Sequence, residues 1–160
     1  GSVLDVGAGA SNLVDELSGD HPVTLLDVSA EALGKVVQRL DGRARVDTVV
    51  TDICAWSPPR TWDVWHDRAV FHFLTAPADQ AAYRRALHAA LAPGGHAIVA
   101  TFALDGPERC SGLPTARYDD DGLHAVLGGD AFERVVTRHQ LHTRPDGEVQ
   151  AFQWVVLRRR

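Results

Sequence analysis

The chain opens on Val3-Leu4-Asp5-Val6-Gly7-Ala8-Gly9-Ala10-Ser11. An apolar run breaks into small, glycine-rich residues and then enters a helical stretch, the pattern of a strand, a tight turn and a helix. Glycine lets a backbone approach a ligand closely and adopt positive φ, so such turns commonly cradle nucleotides. Two features separate this one from a dinucleotide site. Where the G-x-G-x-x-G fingerprint calls for its third glycine, Asn12 stands instead. Asp5 also lies two residues before the first glycine. A carboxylate at that strand end repels a pyrophosphate and suits a cationic ligand.

Further acids follow the same logic. Asp27 ends the next apolar run, Val23-Thr24-Leu25-Leu26-Asp27, 18 residues after Gly9. An acid there can accept hydrogen bonds from both hydroxyls of a ribose. Asp52-Ile53 follows the third run, where a carboxylate suits the adenine amino group and the neighbouring N–H a ring nitrogen. Acids at successive strand ends fit an adenosyl group with a cationic amino-acid tail. S-adenosylmethionine (SAM) carries a sulfonium and an ammonium but no phosphate, so Asp5 favours SAM over NAD or FAD.

The remaining elements read in order along the chain. Strands are expected over Ser2–Val6, Val23–Asp27, Arg45–Thr51, Trp62–Asp67 and His96–Phe102. Helices are expected over Asn12–Ser18, from Ser29 as N-cap to Leu40, over Ala78–Leu91 closed by Pro93-Gly94-Gly95, and over Asp120–Leu127. Phe132–His142 and Val149–Leu157 flank Pro145-Asp146-Gly147 as a hairpin. Alternating strands and helices imply one α/β domain over residues 1–160, a mostly parallel sheet with helices on both faces.

This chain resembles the class I SAM-dependent methyltransferases. The resemblance rests on Val3-Leu4-Asp5-Val6-Gly7-Ala8-Gly9, Leu26-Asp27-Val28-Ser29, Val50-Thr51-Asp52-Ile53 and Leu91-Ala92-Pro93-Gly94-Gly95, the last matching the family's L-x-P-G-G turn. It implies a Rossmann-like seven-stranded sheet in the order 3-2-1-4-5-7-6, with strand seven antiparallel. It also implies SAM held by Asp5, Gly7, Ala8, Gly9, Asp27, Val28, Asp52 and Ile53. Family members carry an N-terminal helix over SAM; this sequence opens on strand one, so that lid is apparently absent from it.

Methyl transfer is an in-line displacement at an activated carbon, so positioning supplies much of the catalysis. A base is needed where the acceptor must lose a proton. Trp65-His66-Asp67-Arg68-Ala69-Val70-Phe71-His72-Phe73, at the end of strand four, is where that chemistry is expected. His66 or His72 would serve as base, and Asp67 would orient a histidine, the acceptor or the SAM ammonium. A helical turn from Arg68 to Leu74 would set Arg68 and His72 on one face; otherwise Arg68 pairs with Asp67 and His72 only packs. Asp105–Tyr118, rich in glycine and proline, reads as an acceptor lid offering Arg109, Cys110, Arg117 and Tyr118. Ser57-Pro58-Pro59-Arg60 reads as a turn. His139 and His142, three apart on a strand, face opposite ways and cannot share an ion, so no metal site is expected.

Composition narrows the partners. The chain has 160 residues and a formal net charge of −5, and its clustered basic residues are confined to Arg158-Arg159-Arg160. That argues against nucleic acid, whose phosphates call for a basic surface. No apolar run approaches a membrane span. Two cysteines, Cys54 and Cys110, make no disulfide framework and suit a reducing cytoplasm. The acceptor expected is a small molecule. A protein lysine is the alternative, because an acid followed by a base, as in Asp67-Arg68, also occurs after strand four in some protein-lysine methyltransferases. A non-catalytic SAM-binding module is the remaining one. Composition leaves the oligomeric state open.

Overall fold

The computed structural model describes residues 1–42 and 46–160. In chain order the strands are β1 (Val3–Val6), β2 (Val23–Asp27), β3 (Val46–Val50), β4 (Trp62–Arg68), β5 (Leu91–Phe102), β6 (Arg109–Cys110), β7 (Leu113–Pro114), β8 (Phe132–Thr143) and β9 (Val149–Arg159). The helices are α1 (Leu13–Leu17), α2 (Ala30–Leu40), α3 (Pro77–Ala90) and α4 (Asp120–Leu127). Arg45, the expected start of strand three, lies outside the described residues.

The main sheet has seven strands in the order β3-β2-β1-β4-β5-β9-β8, with β9 antiparallel to both neighbours. This is the expected Rossmann-like order, β8 and β9 taking the places of strands six and seven. The two-residue strands β6 and β7 form a separate small hairpin inside the loop after β5. Local chemistry explains the boundaries. Ser29 caps α2 by accepting from the Ala32 N–H at 3.1 Å, and Asp119 caps α4 by accepting from Gly122 at 2.8 Å. Pro77 starts α3, where its missing N–H costs nothing. Pro93-Gly94-Gly95 does not close α3 as expected; the helix ends at Ala90 and the chain enters β5 directly at Leu91. A Cβ on Gly95 would lie 2.8 Å from the carbonyl oxygens of Ala92 and Asp63, so this stretch is an irregular strand start that needs close backbone approach.

The sheet is covered unequally. One face packs against α3 and α4 through Leu4, Trp65, Tyr83, Leu87 and Leu123. On the other face α1 and α2 cover β1, β2 and β3 through Val14, Leu33 and Val36. Over β4, β5, β9 and β8 that second face carries no helix among the described residues, and Val64, His66, Ile98, Trp154 and Val156 are only half-buried there. No helix among the described residues is long and apolar enough to cross a membrane.

Candidate active site

The strand order reverses between β1 and β4, and open α/β sheets bind ligands at the carboxyl ends of strands beside such a point. The glycine turn sits there. Gly7 and Gly9 both have positive φ, 66° and 52°. A Cβ on Gly7 would fall 1.9 Å from Val70 Cγ2, whereas one on Gly9 would meet nothing closer than 3.9 Å. Gly7 is therefore required by packing and Gly9 by backbone conformation on an open side. The Asp27 carboxylate clamps this turn to β2, accepting from the Gly9 and Ser29 N–H groups, each at 2.8 Å. Both Asp27 oxygens keep lone pairs for further donors. Val28 beside it is 71% exposed. Asp52 accepts from the Cys54 N–H at 2.8 Å, with Ile53 buried next to it. An open apolar side chain between carboxylates and a glycine turn suits a purine nucleoside.

A cavity of about 580 Å³ runs from Asp5, Gly7 and Ala8 past His66 to the β8–β9 hairpin. His66 pairs with Asp5 in register, and its Nδ1 lies 2.7 Å from Asp5 Oδ1. An ionised carboxylate only accepts, so Nδ1 is the nitrogen that donates in this pair, and in the neutral imidazole Nε2 then keeps its lone pair. Asp5, 3% exposed, thus has one oxygen committed to His66 and still lines the cavity.

Two expected site residues face elsewhere. Successive strand residues alternate, so Asp67 points to the opposite face from His66. It is fully buried and accepts from the Val70 N–H at 2.8 Å, the Phe71 N–H at 3.1 Å and the Tyr83 hydroxyl at 2.6 Å. Burial raises its pKa to about 6 against the lowering effect of these donors. Asp67 therefore neither orients an acceptor nor pairs with Arg68. The expected helical turn from Arg68 to Leu74 is also absent. Arg68 ends β4, Ala69 takes φ 70°, and only Phe71–Phe73 form a 3₁₀ turn. His72 is fully buried between Phe73 and Phe102, with ring centroids at 4.5 Å from each. Its Nδ1 accepts from the Phe102 N–H at 3.4 Å, and burial lowers its pKa to about 4. His72 is a packing residue and does not reach the cavity.

Sequence and structure comparisons agree with this geometry. The family described as "Methyltransferase domain" matches residues 3–95, more than half of the chain. The chain belongs to this family. No curated protein matches it. Among solved structures it is similar to the N-methyltransferase NodS from Bradyrhizobium japonicum WM9 in complex with S-adenosyl-L-homocysteine, at 19% identity and TM-score 0.81, covering 99% of this chain and 77% of that one. It is also similar to the 1,6-didemethyltoxoflavin-N1-methyltransferase from Burkholderia thailandensis, at 23% identity and TM-score 0.76, covering 99% and 70%. A SAM-dependent methyltransferase from Methanosarcina mazei matches at 13% identity and TM-score 0.79, covering 99% and 92%. The chain is thus a SAM-dependent methyltransferase with the fold of these proteins.

In this methyltransferase the expected acceptor lid is tied within itself by its arginines and to the body by Tyr118 and by the Ala116 N–H, which donates to the His72 carbonyl at 2.7 Å. Arg117 donates to the Leu104 and Gly106 carbonyls at 2.8 and 3.1 Å, Arg109 donates to the Gly112 carbonyl, and Tyr118 meets Gln80 at 3.2 Å. Of the lid candidates only Cys110 lines the cavity. His139 meets Asp105 at 2.9 Å while His142 faces the cavity, so the two histidines point apart. Sequence reading missed the far wall, formed by Gln140, His142, Gln150, Phe152 and Trp154. The signal was present: these residues recur at period two on both strands of the hairpin, which places them on one face.

Proposed function

We propose that this methyltransferase modifies a small-molecule acceptor held in the cavity, with His66 as the base that takes the acceptor's proton. The observation that carries the reading is the Asp5–His66 pair at 2.7 Å on the wall of that cavity. Such a cavity matches a small ligand better than a polypeptide, since ligand clefts run to about 300–1,000 Å³.

Asp5, Gly7, Ala8, Gly9, Asp27, Val28, Asp52 and Ile53 are the residues that would hold SAM. SAM supplies a methyl group already activated by positive sulfur. Asp27 would offer its remaining lone pairs to the ribose, Asp52 would take the adenine amino group, and Val28 and Ile53 would flank the ring. Asp5 acts in two ways, fixing the His66 tautomer and placing negative charge near the cationic end of the cofactor. His66 Nε2, free of other partners among the described residues, accepts a proton from an acceptor hydroxyl or amine.

The test is S-adenosylhomocysteine release from the purified chain, SAM and a library of small oxygen, nitrogen and sulfur nucleophiles, run beside intact polypeptides. Turnover is expected with small acceptors. His66→Asn is expected to lower kcat by about 100-fold for hydroxyl acceptors, with S-adenosylhomocysteine affinity retained, and to spare acceptors that arrive already as anions. Methylation confined to polypeptides would overturn the small-molecule reading, and unchanged kcat in His66→Asn would overturn the base.

A further inference from the structure

Arg68 is the charged cavity residue outside the Asp5–His66 pair. It ends β4 and shares a face with His66, two residues earlier. Backbone pairing sets Arg68, Ala100 and Trp154 in one row across the sheet, beside the row of His66, Ile98 and Val156. Ala100 is small, so the guanidinium leans across it, and its Cζ lies 5.5 Å from the centre of the Phe152 ring. The chain then leaves β4 through Ala69 at φ 70°, with the Ala69 N–H held by the Ala100 carbonyl at 2.9 Å. That left-handed backbone fixes the direction in which Arg68 departs.

Among the described residues no carboxylate meets this cation. Arg39, Arg117 and Arg134 reach Asp15, Glu108 and Asp121. Arg68 has no such partner among the described residues. Asp67 points through the sheet to Tyr83, and Asp5, which alone among the described acids lines the cavity, is engaged by His66. Arg68 is exposed at the cavity edge, and the cavity wall on that side is lined by Phe102, Phe152 and Trp154 with the amides of Gln140 and Gln150. A planar guanidinium beside apolar walls and without a counter-ion is the arrangement that recognises a carboxylate by paired hydrogen bonds. The lean toward Phe152, on the far side of β5 from the glycine turn, directs that recognition to the acceptor end of the cavity.

We infer that the acceptor is an aromatic acid: Arg68 takes its carboxylate, and its ring lies against Phe152 and Trp154 with the nucleophile toward His66. The inference rests on the small-molecule reading above. His66 and Arg68 project from one face of β4, about 6.6 Å apart at the backbone, so both line the cavity that would hold the acceptor.

The experiment is calorimetric titration of the chain, saturated with S-adenosylhomocysteine, with matched aromatic carboxylates and carboxamides. Para-hydroxybenzoate and para-hydroxybenzamide form one such pair. The carboxylate is expected to bind about tenfold or more tightly than its amide, in line with loss of a charge-assisted pair. Arg68→Gln is expected to abolish that preference without changing S-adenosylhomocysteine affinity, and Arg68→Lys to restore part of it. Equal binding of acid and amide, or no carboxylate binding at all, would overturn the inference. So would weakened S-adenosylhomocysteine binding in Arg68→Gln, which would assign the arginine to the cofactor's own carboxylate. Turnover of neutral or cationic small acceptors alone would overturn it while leaving the small-molecule reading intact; methylation of polypeptides alone would overturn both.

Discussion

At the scale of the residue, polar side chains at the neighbouring ends of β1 and β4 play different parts because each strand alternates. Asp5 and His66 face the cavity, while Asp67 faces α3 and closes a chain in which the Trp65 indole donates to the Tyr83 hydroxyl at 2.9 Å and that hydroxyl donates to Asp67 at 2.6 Å. Tyr83→Phe leaves both the indole and the carboxylate short of a buried partner, a loss of about 1–3 kcal/mol for each unsatisfied group. The pH dependence carries the sign. The folded-state pKa of Asp67, about 6, lies above the ordinary carboxylate value, so folding favours its protonated form. That contribution is full below about pH 4 and is lost as pH rises through about 6. Removing the hydroxyl raises the pKa further, so urea denaturation is expected to show a larger deficit at pH 8 than at pH 5. Equal deficits at both values would mean that the Tyr83 hydroxyl does not stabilise the charged form. The placement of Asp67 was not legible in the sequence: His66 and Asp67 are equally polar, and only the strand's rotation, which neither residue announces, decides which meets the cavity.

At the scale of the element, what could be read was what local chemistry punctuates. Ser29 marks a helix start and the apolar runs mark β1, β2 and β5, so the order of elements followed from them, whereas the order of strands in the sheet came from the resemblance to class I methyltransferases. The segment after β4 could not be read this way. Arg68 to Leu74 has the composition of a helical turn, but Ala69 adopts a left-handed backbone that alanine disfavours and only tertiary packing enforces. This rotates His72 out of the cavity and into the seam between the 3₁₀ turn and β5, where its carbonyl also holds the Ala116 N–H at 2.7 Å. One residue thereby joins the turn to β5 through its neutral imidazole and to the following loop through its backbone carbonyl. With a folded pKa of about 4, below the unfolded value, His72 contributes stability that is present above about pH 6.5 and is lost as pH falls toward 4. The shift corresponds to roughly 3 kcal/mol. His72→Phe keeps the ring packing and removes the titration, so its stability is expected to fall less than that of the parent chain between pH 6.5 and 4.5. Parallel acid profiles for the two proteins would exclude His72 from this role.

At the scale of the whole molecule, the reversal of strand order between β1 and β4 divides the sheet into two halves with different roles. The β3-β2-β1 half ends in the glycine turn, Asp27 and Asp52, where the adenosyl part of SAM is assigned. The β4-β5-β9-β8 half supplies His66, Arg68 and the hairpin wall of the cavity, where the acceptor is proposed to lie. The Asp27 carboxylate ties the first half together, because it bonds the Gly9 turn to the N-terminus of α2 at Ser29. A ligand that spans β1, β2 and β3 binds the folded arrangement of these three strand ends, and its binding should appear directly as protection against unfolding. At a concentration one hundred times its dissociation constant, S-adenosylhomocysteine contributes about 2.7 kcal/mol. For a domain of this size that corresponds to a rise in Tm of roughly 5–10 °C. NAD is expected to give no rise, since Asp5 meets its pyrophosphate with like charge. Asp27→Asn keeps an acceptor oxygen for the turn and should retain part of the shift. Asp27→Ala frees the glycine turn and removes the ribose acceptor together, so its shift is expected to vanish. An undiminished shift in Asp27→Ala would place the ribose elsewhere, and an equal shift with NAD would remove Asp5 as the residue that selects the cofactor.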